Sequence, residues 1–376
     1  MQRYLDYNAT SPVIDESITA FSEAARTASG NPSSLHWAGR AARKHLDDAR
    51  DALAKYLNVE SGSVVFTSGG TEANNMAIHG WLSKQEPGKI VVSAIEHPSV
   101  LQPLEAWAAK PGWEVLYVRP DSSGVIDAEA FCAHVDARTR LASLMLVNNE
   151  TGTIQPVEKI VAHCRNFEVA TLVDAVQALG KFPLDLSKLE ADFVSLSAHK
   201  IGGPKGVGAL IVRRGRKLEP LLQGGGQERK RRSGTENVPG AAGFAAALGM
   251  LDFKICSTVR DRFETALANA LPEVAFFSRD AARVANTSMF SMPGLDGETL
   301  LMQLDLAGFA VASGSACSSG KRDASHVLLA MGVSDQQSRS SIRVSFGPKH
   351  SSDDADALVE ALVKIRERLK MMAGAG

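Results

Sequence analysis

The sequence predicts an α/β protein, a large domain built on a mainly parallel seven-stranded sheet, joined to a smaller α+β domain. Three observations carry this. Short apolar runs recur at residues 64–67, 90–93, 115–118, 141–147, 171–174, 193–197 and 208–212. Most are continuous rather than alternating, the pattern of strands buried on both faces. Helical patterns separate them, and strands alternating with helices imply parallel strands covered by helices. After about residue 255 the texture changes: helical patterns at 259–270, 297–307, 323–331 and 353–372 enclose short strands at 286–290 and 342–346. The expected division is 16–255 for the large domain, with 1–15 and 256–376 forming the small one.

Within the large domain, Ser34 is placed to cap a helix reaching Leu57, with Leu46, Ala49, Leu53 and Leu57 on one face. A chain of 376 residues, 44% hydrophobic, buries a large core efficiently. Its length allows roughly two to three domains. Lys plus Arg number 41 and Asp plus Glu 42, a net charge of −1. That balance argues against a surface made to grip nucleic acid or anionic membrane. The four cysteines, Cys132, Cys164, Cys256 and Cys317, contain no CxxC spacing. Neither a cysteine zinc site nor a disulfide framework is expected, and a reducing compartment fits. The N-terminus lacks the apolar core of a signal peptide. The longest uncharged stretch, 237–251, is broken by Pro239 and too short to span a bilayer. A soluble cytoplasmic protein is expected.

Four segments are candidates for chemistry. The turn Thr67-Ser68-Gly69-Gly70-Thr71-Glu72 leaves a strand and opens a helix. Its glycines admit close backbone approach, and a helix start offers free N–H groups to an anion, although a plain tight turn has the same look. It matches neither the dinucleotide fingerprint nor the P-loop. Asp174, in Leu172-Val173-Asp174-Ala175-Val176-Gln177, sits at the C-terminal end of an apolar strand, where open α/β sheets bind ligands. Lys200, in Ser197-Ala198-His199-Lys200, leaves the next strand among small residues. Partial desolvation there lowers a lysine pKa and frees its amine as a nucleophile. An amine, an acid and an anion pocket, each at a strand end, form the set pyridoxal phosphate needs: a Schiff-base lysine, a partner for the ring nitrogen and a phosphate seat. The fourth segment, Ser313-Gly314-Ser315-Ala316-Cys317-Ser318-Ser319-Gly320, is a small polar loop with one thiol, suited to a nucleophile that passes sulfur onward. Lesser candidates are His97, in Glu96-His97-Pro98, and Arg343, a lone cation in a strand-like run that reads as a carboxylate clamp or a surface ion pair. The run Glu228-Arg229-Lys230-Arg231-Arg232 reads as a solvated face or a partner surface.

These residues resemble the cysteine desulfurases of the class V aminotransferase superfamily. The likeness runs nearly end to end, through Tyr4–Thr10, Gly30–His36, Thr67–Asn75, Asn148-Asn149-Glu150-Thr151-Gly152, Ala198-His199-Lys200, Arg232–Asn237 and Ser313–Cys317. It implies the transferase fold type I of pyridoxal-phosphate enzymes, a homodimer, and conversion of L-cysteine to alanine. The sulfur would be left as a persulfide on Cys317 and passed to an acceptor or scaffold protein for iron–sulfur cluster assembly or thiolation. Position by position, it implies that Lys200 bonds the cofactor, Asp174 pairs with the ring nitrogen, Gln177 approaches the ring hydroxyl and His97 stacks on the ring. Gly70, Thr71, Ser197 and His199 would hold the phosphate, joined by Thr235 of the partner subunit. Asn149 and Arg343 would hold the substrate carboxylate, with His97 placed to shuttle a proton at the thiol. The turn reads Gly-Gly-Thr-Glu-Ala where Gly-Ala-Thr-Glu-Ser is more usual, and Ser-Ser-Gly-Lys-Arg-Asp follows Cys317. These departures bear on the acceptor rather than the chemistry. Alternatives of the same fold are a selenocysteine lyase or an aminotransferase. A cofactor-free interaction protein has no use for Lys200, Asp174 and Cys317 together.

Overall fold

The apolar runs assemble into a seven-stranded sheet. Its order is Val64–Thr67, Gly208–Val212, Phe193–Ser197, Ala170–Asp174, Thr139–Ser143, Lys89–Ser93 and Glu114–Val118. The structure, a computed structural model, describes residues 2–313 and 324–374. Cys317 therefore lies outside the described residues. All strands run parallel except Gly208–Val212, which is antiparallel to both neighbours. Successive residues point to opposite faces, and both faces are covered. Phe66, Val91, Val173 and Ile211 join a core with the helices Trp37–Leu57, Val157–Asn166 and Val238–Ala247. Val65, Ile90, Leu172 and Leu210 join a second core with Gly70–Leu82 and Pro98–Ala108. This is why the runs are continuous in sequence.

Three boundaries and four short strands differ from expectation. The fourth run leaves the sheet at Ser143 rather than continuing to Val147. Residues 144–147 stay buried, but they curve over the strand end, where Leu146 N bonds Asp174 O at 2.9 Å. The long helix begins at Trp37, capped by His36 Nδ1 accepting from Gly39 N at 3.2 Å, and not by Ser34. Ser34 is engaged in the preceding turn, its N–H bonding Asn31 O at 2.9 Å. The helix expected from residue 323 runs over His326–Ala330, with Ser325 accepting from Leu328 N at its start. Short strands at Arg3–Tyr4, Ala275–Phe277, Phe309–Ala310 and Ala312–Ser313 carry too few residues to show a period in sequence.

Leu5, Tyr7, Phe253, Phe263, Phe290, Leu300, Ile342, Phe346 and Leu358 form a separate core. Around it lies an antiparallel sheet ordered Ala312–Ser313, Ser341–Ser345, Thr287–Ser291, Ala275–Phe277, while Arg3–Tyr4 pairs in parallel with Phe309–Ala310. Among the described residues, no helix is long and apolar enough to cross a membrane.

The basic run is only partly a solvated face. Arg229 and Lys230 are exposed, but Glu228 is buried. Its carboxylate accepts from Arg50 Nη2 at 2.7 Å, Arg50 Nη1 at 2.8 Å and Phe66 N at 3.0 Å. Arg232 pairs with Glu72 at 2.8 Å, and Arg231 donates to Gly62 O at 2.8 Å. Glu228, Arg229 and Lys230 all take positive φ, at 46°, 59° and 65°. Left-handed backbone costs roughly 1–2 kcal/mol per residue, so the Glu228 contacts must hold this turn in place. Removing one partner of a buried pair leaves the other charge uncompensated, at roughly 3–5 kcal/mol. Glu228→Leu should therefore lower the urea unfolding midpoint strongly, and adding Arg50→Met should recover much of the loss. Equal stability of Glu228→Leu and the unaltered chain would contradict this assignment.

Candidate active site

Three strand ends meet at one edge of the large sheet because their strands run the same way, and the reversed strand between two of them starts at that edge. Gly208 pairs with both Thr67 and Ser197. A Cβ there would lie 2.7 Å from Gly69 Cα and 2.6 Å from Leu196 O, so only glycine lets these segments close up. At this edge lies a cavity of about 260 Å³, lined by Gly70, Thr71, Asn74, His97, Asn149, Asp174, Gln177, Ser197, His199, Lys200 and Arg343, among others. Residues from seven separate stretches of sequence thus share one wall.

Gly70 and Thr71 begin the helix Gly70–Leu82, which has no side-chain cap on its first N–H groups. Gly70 and Thr71 line the cavity, and free N–H groups at a helix start can seat an anion. A Cβ on Gly70 would sit 2.6 Å from Val176 Cγ2, so the helix start is pressed onto the turn that follows Asp174. Ser197 Oγ adjoins this seat, buried and without a hydrogen-bond partner among the described residues. His199 Nδ1 lies 3.1 Å from Thr10 Oγ1. Burial, with Lys200, Lys205 and Lys181 nearby, lowers the His199 pKa to about 4, so the ring is neutral at pH 7.

Asp174 Oδ2 accepts from Asn74 Nδ2 at 2.8 Å, and Oδ1 from Val176 N at 2.9 Å. Asn74 Nδ2 also donates to Ser99 Oγ at 2.9 Å, and Ser99 Oγ is 2.8 Å from His97 Nδ1. Ser99 N donates to the same His97 nitrogen at 3.1 Å. The neutral imidazole therefore carries its proton on Nε2. Burial lowers the His97 pKa; Asp174 opposes the shift, and Lys200 and His326 add to it.

Lys200 lies in the turn Ala198–Lys200, half-buried, its amine turned inward. Nζ donates to Asn8 O at 2.6 Å and Ala9 O at 2.8 Å. Gln177 Nε2 donates to the same Asn8 oxygen at 2.8 Å. Arg343 is buried, not a surface ion pair: Nη2 meets Asp6 Oδ1 at 2.7 Å and Nη1 meets Asn149 O at 2.9 Å. Arg343 Nε and Asn149 Oδ1 are buried without a partner among the described residues. Thr235 is exposed and outside this cavity.

Several contributors carried no role in the sequence reading. Asn8 lies within a quoted motif, yet its contacts arise only on folding. Asn74 and Ser99 link the acid to the imidazole. Glu150 is fully buried, its pKa raised by that burial, and accepts from Ser325 Oγ. Lys181, four residues after Gln177, is buried and donates to Gln177 Oε1 at 2.7 Å. That spacing was the only available signal for it.

Comparison with known proteins agrees with this geometry. The family model for aminotransferase class-V matches residues 3–358. A protein named cysteine desulfurase IscS from Dictyoglomus turgidum is 37% identical over 378 aligned positions, covering 98% of this chain and 96% of the relative. A solved NifS-like protein superposes with a TM-score of 0.90 at 36% identity, covering 99% of this chain and all of that one. The solved structure titled SspA in complex with cysteine superposes with a TM-score of 0.83 at 30% identity over 93% of this chain. The chain belongs to the aminotransferase class-V family and, within it, to the cysteine desulfurases.

Proposed function

We propose that this chain is a pyridoxal-phosphate-dependent cysteine desulfurase. It acts as a homodimer, takes sulfur from L-cysteine onto Cys317 and delivers it to an acceptor protein for iron–sulfur assembly or thiolation. The observation that carries this is the meeting of Lys200, Asp174 and the Gly70–Thr71 helix start in one cavity. The cavity chemistry fits the cofactor. Asn74 Oδ1, Asn149 Oδ1, Ser197 Oγ and Arg343 Nε are buried without partners among the described residues. Each such atom costs about 1–3 kcal/mol until something polar meets it. Each Asp174 oxygen has one donor and a lone pair left for a ring N–H. A free thiol at each of Cys132, Cys164 and Cys256 suits a reducing, cytoplasmic setting.

Lys200 would bond the cofactor aldehyde, and Asp174 would keep the ring nitrogen protonated. Gln177 would meet the ring hydroxyl, and His97 would lie against the ring. Gly70, Thr71, Ser197 and His199 would hold the phosphate, with Thr235 of the partner subunit. When bound, pyridoxal phosphate supplies the electron sink that acidifies the substrate Cα–H. Asn149 and Arg343 orient the substrate carboxylate, Arg343 sharing its charge with Asp6. The Lys200 amine takes the Cα proton and returns it. The Cys317 thiolate forms an S–S bond to the substrate sulfur as the Cβ–S bond breaks, and a proton added at Cβ completes alanine. His97 Nε2 exchanges a proton with the thiol.

Cys317→Ala should keep bound cofactor and its colour while losing persulfide and sulfide. Full activity of that variant on cysteine would overturn the desulfurase reading in favour of a selenocysteine lyase. Lys200→Ala should lose covalent cofactor attachment by mass spectrometry. His97→Asn should lower kcat by about 10²–10⁴. Because His97 is held below the ordinary histidine pKa of about 6.5, it stays neutral as pH falls to that value. Followed by NMR in the full chain, the His97 ring should then titrate below about pH 6.5, and a midpoint above it would contradict a neutral His97.

A further inference from the structure

Lys181 has no part in the chemistry above, yet its amine is buried at the foot of the cavity wall. Nζ donates to Asn8 Oδ1 at 2.7 Å and to Gln177 Oε1 at 2.7 Å. A neutral amine has two hydrogens to give and an ammonium has three, so either form serves both oxygens. Packing alone does not account for a lysine here. A methionine fills similar space, and burying an amine is costly unless hydrogen bonds compensate it. Burial pushes its pKa well below the ordinary lysine value, and Lys200 and Arg343 push the same way, against Cys256 and Asp6.

The consequence lies in which way two amides face. The two ends of a primary amide are nearly alike in shape, and its orientation is set by what it bonds. An ammonium can only donate, and here Nζ gives a hydrogen to each amide, which holds both amide oxygens toward it. Gln177 Nε2 is thereby turned to Asn8 O at 2.8 Å, and Asn8 Nδ2 to Asn149 O at 3.2 Å and Thr287 Oγ1 at 2.9 Å. That same Asn8 main-chain oxygen holds Lys200 Nζ at 2.6 Å.

We propose that Lys181 is a positioning residue: by locking the amides of Gln177 and Asn8, it fixes the Asn8 main-chain oxygen against which the Lys200 amine is held. This rests on the reading of Lys200 as the residue that bonds pyridoxal phosphate. It assigns Lys181 no contact with cofactor or substrate. Its influence passes through Gln177 and Asn8.

The test is cofactor binding rather than turnover. The full chain, stripped of cofactor, is titrated with pyridoxal phosphate and binding is read from the visible absorption of the bound form, with urea unfolding midpoints measured alongside. Lys181→Met should weaken binding about tenfold, the factor expected for one lost positioned hydrogen bond. Gln177→Met should weaken it as well. The double variant should lose less than the product of the two single losses, because part of the influence of Lys181 passes through the Gln177 amide. Unchanged binding by Lys181→Met, or a lowered unfolding midpoint as its only effect, overturns the proposal. So does a double variant in which the two losses multiply. If Lys181→Met does not fold, Lys181→Gln replaces it: its shorter amide reaches one acceptor and not both, and binding equal to that of the unaltered chain overturns the proposal equally. A chain that takes up cofactor with this coupling but makes no alanine from cysteine overturns the desulfurase reading and supports this one.

Discussion

The site depends on Asn8. Its main-chain oxygen receives Lys200 and Gln177, its side-chain oxygen receives Lys181 and Asn286, and its amide donates to Asn149 O and Thr287 Oγ1. Its own N–H reaches Ser345 Oγ at 2.9 Å. One residue thus joins the strand-end turns of the large sheet to two strands of the small one. The flanking chain follows the same path. Ser11 N bonds His199 O at 2.8 Å, Ser11 Oγ bonds Lys200 O at 2.8 Å, and Ile14 N bonds Gly202 O at 3.0 Å. The turn carrying Lys200 is therefore braced by a segment nearly two hundred residues away in sequence. A loop amine held this way loses little further freedom when it reacts, the entropic advantage of a preorganised group.

Three arginines with buried side chains, Arg343, Arg283 and Arg50, are each paired on more than one side. Arg343 meets Asp6 and a main-chain oxygen; Arg283 meets Glu264 at 2.6 Å and Thr287 O at 2.9 Å; Arg50 meets Glu228 and Val64 O at 2.7 Å. Such pairs are weak sources of net stability, since desolvation offsets attraction. Their effect is to fix which segments meet. Arg343 and Arg283 tie the second sheet to the N-terminal segment and to a helix, and Arg50 ties the long helix to the edge strand. The polar atoms left unpartnered among the described residues include several on the cavity wall, the place where a bound group can satisfy them.

Much of the large sheet was legible because a strand buried on both faces must be apolar at nearly every position. Phe193–Ser197 and Gly208–Val212 have the bounds their composition implied, and the segments at Gly70, Asp174, Ser197 and Lys200 stand at strand ends, as their turn chemistry implied. The small sheet was legible only in part, because strands of two or three residues carry no period. The basic run misled because charge density in sequence does not reveal that a helix and a strand converge on Glu228 and bury it.

By itself the sequence determined the α/β class, the family and the chemical kinds of group present, since each follows from local pattern and ordered motifs. Tertiary structure alone decided that Asn8, Asn74, Ser99 and Lys181 belong to the same assembly as Lys200 and Asp174. The physical reason is that hydrogen bonds between residues distant in the chain have no local signature. A polar side chain in sequence shows what it can give or accept, and only the folded contacts show to whom.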